Sequence, residues 1–113
     1  MSGADQIPEI SPTELKSRMD AGADMVLVDV RETFEKAIAD LPEVGQLRIP
    51  VASFPEQFNK IPRDKPVVLY CRSGSRSGWA TQFLMSQGWD DVANLEGGVL
   101  GWRDEVDPSL AAY

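Results

Sequence analysis

The chain has 113 residues, of which 42% are hydrophobic and 26% are charged. It contains no apolar stretch long enough to cross a membrane and no secretory signal pattern. These features predict one globular domain in the cytoplasm. The formal net charge is −7 and the basic residues form no run, which argues against binding to nucleic acid or to an anionic membrane. The single cysteine excludes an internal disulfide and a cysteine-rich zinc site, and the lack of histidine excludes histidine-based catalytic pairs and imidazole ligands, so no metal or other cofactor is expected.

The first half of the chain alternates helix and strand patterns. Ser11-Pro12-Thr13-Glu14 combines an N-cap, a first-turn proline and a capping-box glutamate, which predicts a helix that ends near Gly22. The apolar run from Met25 to Val30 is typical of a strand covered on both faces. A short helix over 33–39 and a short strand over 47–51 are expected next.

The second half repeats this alternation. Ser53-Phe54-Pro55-Glu56 predicts a second capping box and a helix that ends before Pro62. Further elements are expected in the order strand 67–71, helix 76–87 stopped by Gly88, strand 91–95 and helix 99–104, followed by a loose tail over 108–113. The pattern predicts an α/β domain with a core over about 9–104, a tail over 105–113, and a mostly parallel sheet flanked by helices.

Sites in parallel sheets lie beyond the carboxyl ends of the strands, and Cys71 ends a buried strand. The sequence there is Cys71-Arg72-Ser73-Gly74-Ser75-Arg76-Ser77. Its short side chains let the backbone curl so that amide N–H groups point at the sulfur, and Gly74 can adopt a positive φ. The start of the next helix and the two arginines add positive potential, which favours the thiolate without a histidine base. We therefore expect a nucleophilic cysteine inside an anion-binding loop.

A plainer interpretation remains open at this point. A lone cysteine at a strand end is often an inert apolar side chain. Ser75 to Ser77 could simply begin a helix beside an exposed arginine.

Three motifs in order resemble the rhodanese family of sulfurtransferases. They are the Cys71–Ser77 loop, Asp29-Val30-Arg31-Glu32 after an earlier strand, and Leu95-Glu96-Gly97-Gly98 with Trp102 four residues after Gly98. The resemblance extends from about Glu9 to Trp102. One stretch departs from it, because Ala39-Asp40-Leu41-Pro42 stands where the family usually has glycine-histidine-isoleucine-proline.

The resemblance implies a three-layer rhodanese domain in which Cys71 accepts sulfur and the loop residues 72–77 cradle the persulfide. It implies that Asp29 and Arg31 brace the loop, although a plain surface ion pair is an equal alternative. Gly97, Gly98 and Trp102 are interpreted as packing residues. Thiosulfate is the expected donor, and cyanide, a thiol or a protein thiol is the expected acceptor, with Arg72 and Arg76 attracting the anionic donor.

Two other functions stay in view. A sulfur-relay or binding module that acts with a partner would share every motif. Phosphatases and arsenate reductases of related fold typically place one residue more between cysteine and arginine than the four found here, so the shorter loop favours sulfur over a tetrahedral oxyanion.

Overall fold

A computed structural model describes residues 7–113 of the chain. Within that range the centre of the fold is a sheet of five parallel strands in the order β1-β5-β4-β2-β3. The strands are β1 (Glu9–Ile10), β2 (Val26–Asp29), β3 (Leu47–Arg48), β4 (Val67–Tyr70) and β5 (Val92–Leu95). The predicted mostly parallel sheet is confirmed.

Helices cover both faces of this sheet. They are α1 (Pro12–Asp20), α2 (Phe54–Gln57), α3 (Ser75–Ser86) and α4 (Gly98–Glu105), with 3₁₀ turns at Thr33–Ala37, Val51–Ser53 and Phe58–Lys60. Together with the sheet they form the predicted three-layer α/β fold. No helix in residues 7–113 has the length and apolar character needed to cross a bilayer.

Side chains alternate along β4, so the sheet has a hydrophobic cluster on each of its two faces. Val67 and Leu69 point to one face, in the cluster that contains Ala80 and Leu84 of α3. Val68 and Tyr70 point to the other face, in the cluster that contains Leu15 of α1 and Trp102 of α4. Because β4 is buried on both faces, its sequence is continuously apolar, as predicted.

The start of α1 follows the sequence signals except at Glu14, whose carboxylate accepts a hydrogen bond from Arg18 at 2.6 Å and does not complete the predicted capping box. Ser11 has extended backbone angles, and its hydroxyl oxygen accepts a hydrogen bond from the Glu14 N–H at 3.1 Å. Pro12 occupies the first turn, where its missing N–H costs nothing. The helix ends at Asp20, and Gly22 follows with a φ of +71°, so the predicted boundaries are confirmed.

Two local predictions are wrong. Ser53 forms no cap, because it belongs to the preceding 3₁₀ turn with φ −99° and ψ 0° rather than the extended conformation a cap requires. The α-helix that follows therefore has only four residues before the chain tightens into another 3₁₀ turn. The strand expected over 47–51 is limited to Leu47–Arg48, because Val51 already begins a 3₁₀ turn.

The prediction of a loose tail is also wrong. Helix α4 extends to Glu105, and the following segment folds back so that Leu110 and Tyr113 pack against the core beside Trp102. The Arg103 guanidinium donates to the Leu110 carbonyl at 2.8 Å. The Tyr113 hydroxyl also forms hydrogen bonds with the buried side chains of Arg31 and Glu35, which hold the segment in place.

Candidate active site

The loop after β4 has the curled shape expected from its composition. Gly74 has a φ of +110°, a conformation that side-chain-bearing residues rarely adopt, and α3 begins directly after it at Ser75. Its position at the carboxyl edge of the sheet brings it close to the ends of β2 and β5. The loop thus joins a buried strand to the positive end of a helix dipole.

The Cys71 sulfur faces this loop. Sγ accepts a hydrogen bond from the Gly74 N–H at 3.1 Å and lies 3.3 Å from the Ser77 hydroxyl oxygen, while the residue is only 1% exposed. Burial by itself would raise the pKa of the Cys71 thiol. Hydrogen bonds from the Ser77 hydroxyl and from the amides of Ser77, Gly74 and Ser73 outweigh that effect, so the pKa lies below its ordinary value.

Asn94 of β5 is a site residue that was not identified from the sequence. Its side-chain N–H donates to the Gly74 carbonyl at 3.0 Å, and this fixes its Oδ1 toward the Ser77 hydroxyl at 2.6 Å. Asn94 is 3% exposed in a strand that is otherwise apolar. A polar side chain inside such a strand is the signal that could have identified it.

The two loop arginines both have protein partners. Arg76 forms a bidentate ion pair with Glu35, with N–O distances of 2.8 and 3.0 Å. Hydrogen bonds from Arg76, together with those from the Glu32 N–H and the Tyr113 hydroxyl, outweigh burial and lower the pKa of Glu35 to about 2. Arg72 donates from Nε to the Tyr113 main-chain oxygen and lies 5.3 Å from the centroid of the Tyr113 ring.

Asp29 and Arg31 are not a surface ion pair. Their side chains are 4% and 0% exposed, and Arg31 donates to both Asp29 oxygens at 2.9 and 3.0 Å. Arg31 also donates to the Tyr113 hydroxyl at 2.8 Å, and that hydroxyl donates to Glu35 at 3.0 Å. Arg31 is therefore connected to Arg76 through Tyr113 and Glu35.

Asp40, which stands where the family usually has histidine, belongs to the same network. Its carboxylate accepts hydrogen bonds from Arg31 at 2.9 Å, Arg48 at 2.7 Å and the Tyr70 hydroxyl at 2.7 Å. Arg48 also donates to Asp29 at 2.7 Å. Two carboxylates thus neutralise two arginines beneath the loop, and neither Glu35 nor Asp40 was identified from the sequence.

Gly98 and Trp102 act through packing, as expected. A Cβ on Gly98 would lie 2.4 Å from the Cys71 carbonyl oxygen, and Gly98 has a φ of +60°. The next two amides, from Val99 and Leu100, donate to the carbonyls of Cys71 and Arg72 at 2.9 and 3.0 Å. Trp102 is 1% exposed in the core beneath them. The start of α4 therefore fixes the main chain on which the sulfur sits.

The arrangement is suited to nucleophilic chemistry at sulfur. It combines a thiol of lowered pKa with a ring of amide donors that can stabilise negative charge on a second atom attached to Sγ. In residues 7–113, no three His, Cys, Asp or Glu side chains converge to hold a metal ion.

Comparison with known proteins shows the family of this chain. A family model described as "Rhodanese-like domain" matches residues 11–105. A "Sulfurtransferase" of Allochromatium vinosum is 40% identical over 105 residues, covering 93% of this chain and 96% of the relative. The "Putative sulfurtransferase YtwF" of Bacillus subtilis is 37% identical, covering 91% and 97%. A solved rhodanese-like domain protein from Staphylococcus aureus superposes with a TM-score of 0.78 at 27% identity, covering 95% of this chain and 99% of that protein.

Proposed function

The chain belongs to the rhodanese-like family of sulfurtransferases, and on that premise we propose that it transfers a sulfane sulfur atom through a persulfide on Cys71. The observation that supports this most directly is the position of Sγ inside the loop, 3.1 Å from the Gly74 amide nitrogen. The residues assigned to the persulfide cradle are Arg72, Ser73, Gly74, Ser75, Arg76 and Ser77.

In the first half-reaction the Cys71 thiolate attacks the outer sulfur of a donor such as thiosulfate. The new Sγ–S bond forms as the S–S bond of thiosulfate breaks, and sulfite leaves with the electron pair of that bond. The enzyme is left with a Cys71 persulfide anion, so the total charge is conserved. The hydrogen bonds that lower the pKa of Cys71 favour the thiolate that makes this attack.

In the second half-reaction a thiophilic acceptor attacks the terminal sulfur. The Sγ–S bond breaks, and Cys71 takes its electron pair and returns to the thiolate. Cyanide gives thiocyanate, whereas a thiolate gives a new persulfide on the acceptor. Loop amides and the α3 dipole stabilise the negative charge on sulfur in both half-reactions.

Loop size supports sulfur transfer over phosphoester hydrolysis. Four residues separate Cys71 from Arg76, and the Arg76 guanidinium is already paired with Glu35. A phosphatase requires its arginine to hold two oxygens of the oxyanion. That arginine is therefore not free for this role.

Intact-protein mass spectrometry tests the proposal. After incubation with thiosulfate or with an organic persulfide, the wild-type chain should gain the mass of one sulfur atom, and cyanide should remove it. Cys71→Ser should gain nothing, whereas Ser86→Ala, an exposed position on α3, should load as the wild type does. A wild-type chain that gains no sulfur from either donor would leave the relay or binding module as the better account.

A further inference from the structure

The side-chain charges around the Cys71 sulfur leave no net positive charge to balance a dianionic donor such as thiosulfate. We propose that Glu35, acting through Arg76, makes this site selective for an organic persulfide over thiosulfate. The inference rests on the proposed function and names the class of donor that the same sulfur accepts.

Glu35 is firmly held against Arg76. Its side chain is 6% exposed, and besides both Arg76 nitrogens it accepts hydrogen bonds from the Glu32 N–H at 2.9 Å and the Tyr113 hydroxyl at 3.0 Å. Moving this carboxylate away to free Arg76 would leave several polar groups without partners in a buried region, which is costly. Arg76 therefore stays neutralised when a donor arrives.

Arg76 is still within electrostatic reach of the sulfur, because it precedes Ser77 in the first turn of α3 and the Ser77 hydroxyl oxygen lies 3.3 Å from Sγ. The pKa of Arg76 is raised mainly by its hydrogen bonds to Glu35, and the Cys71 thiolate contributes a smaller effect in the same direction. Removing the compensating Glu35 charge would therefore change the potential at the reacting sulfur. Glu35 therefore determines donor specificity without contacting the donor, because it acts through Arg76.

The second arginine is not a free anion site either. Arg72 donates to the Tyr113 main-chain oxygen and lies over the Tyr113 ring. The formal charges of the Cys71 thiolate, Arg72, Arg76 and Glu35 cancel. A donor thus meets a neutral group of side chains within a chain whose net charge is −7.

Thiosulfate brings two negative charges to this site, and its leaving group, sulfite, is also a dianion. An organic persulfide brings at most one, as R–S–S⁻, and its protonated form, R–S–SH, brings none. Its outer sulfur is attacked by the Cys71 thiolate, the S–S bond of the donor breaks, and R–S⁻ leaves and takes the proton of the transferred sulfur, giving R–SH and a Cys71 persulfide anion. Backbone amides suffice to stabilise the single negative charge that this transfer involves.

The experiment compares kcat/KM for thiosulfate with kcat/KM for the persulfide of 2-mercaptoethanol. The wild type should favour the persulfide by about tenfold or more in kcat/KM. Glu35→Gln should shift the ratio of the two kcat/KM values toward thiosulfate by about tenfold, because the substitution removes one negative charge near a partly screened site. Glu56→Gln, at an exposed position on α2, changes the net charge by the same amount and should shift the ratio less than about twofold. Glu35→Asp retains the charge and should keep the wild-type preference.

A wild type that favours thiosulfate would overturn the inference, and so would equal shifts of the ratio in Glu35→Gln and Glu56→Gln. A chain loaded by neither donor refutes the proposed function itself, so the two failures are distinguishable. If Glu35→Gln does not fold, the wild-type ratio and its salt dependence decide. Screening should raise kcat/KM for thiosulfate more than the value for the persulfide, whose charge is at most one, and a thiosulfate value that falls with added salt would contradict the inference.

Discussion

The Ser77 hydroxyl has one proton and two candidate acceptors, and this conflict gives a sharp prediction about Cys71. The hydroxyl oxygen is 2.6 Å from Asn94 Oδ1 and 3.3 Å from Cys71 Sγ. At these distances the proton belongs to Asn94 while Cys71 is a neutral thiol. When the thiol ionises, the hydroxyl must turn toward the sulfur, and Asn94 loses its partner.

The magnitude follows from this exchange. A hydrogen bond to a charged group contributes about 1.5–3 kcal/mol, and the abandoned neutral bond to Asn94 is worth about 1 kcal/mol. Ser77 should therefore favour the thiolate by about 1 kcal/mol net, or about fivefold in the ionisation constant. Ser77→Ala should raise the pKa of Cys71 accordingly. Asn94→Leu removes the competing acceptor without leaving a large cavity and should lower that pKa, since the Gly74 carbonyl that Asn94 also contacts still accepts from the Gly78 N–H at 2.9 Å.

The measurement is a pH titration of thiolate absorbance in the ultraviolet. It needs no reagent to reach a sulfur in a residue that is 1% exposed, and the chain contains no second cysteine. Ser75→Ala removes an exposed hydroxyl from the same loop and should leave the titration unchanged. If Ser77→Ala and Asn94→Leu shift the Cys71 pKa in the same direction, the shared-proton argument is refuted.

Two further predictions concern stability. Gly98→Ala should lower the free energy of unfolding by at least about 2 kcal/mol in denaturant titration, because the new methyl group would lie 2.4 Å from the Cys71 carbonyl oxygen. Gly45 has a similar φ of +80° but open space around it, so Gly45→Ala should lower the free energy of unfolding by only about 1 kcal/mol. Equal losses in the two variants would show that the contact with Cys71 is not the cause. The folded-state pKa of Glu35 is depressed from 4.5 to about 2, so the contribution of Glu35 to stability is present above pH 4.5 and is lost as the pH falls toward 2. Glu35→Gln should therefore make the free energy of unfolding less dependent on pH across that interval, and an unchanged slope would refute this prediction.

The sequence predicted those features that depend on neighbouring residues. Continuous apolar runs identified β2 and β4, and the Ser11–Pro12 pair located the start of α1. The positive φ at Gly74 also followed from local composition. In each case the physical cause, burial on both faces, capping or backbone freedom, lies within a few residues of its effect.

The missed features depend on distant partners. Glu35 lies 41 residues from Arg76 in the chain, and Tyr113 lies 82 residues from Arg31. No local pattern distinguishes Glu35 from the exposed Glu32, three residues before it. The segment over 108–113 was taken for a loose tail for the same reason, since its order comes from the partners of the Tyr113 phenol.

The pairing of charges around the loop suggests how the site obtains its positive potential. Asp29 and Asp40 neutralise Arg31 and Arg48, and Glu35 neutralises Arg76. These ion pairs fix the shape of the carboxyl edge of the sheet but contribute little net charge to it. The attraction for a charged sulfur then comes mainly from groups that cannot be neutralised by a side chain, namely the loop amides and the start of α3. Such dipoles act over short distances, which suits a site that must stabilise one negative sulfur and has little need to attract a multiply charged anion from solution.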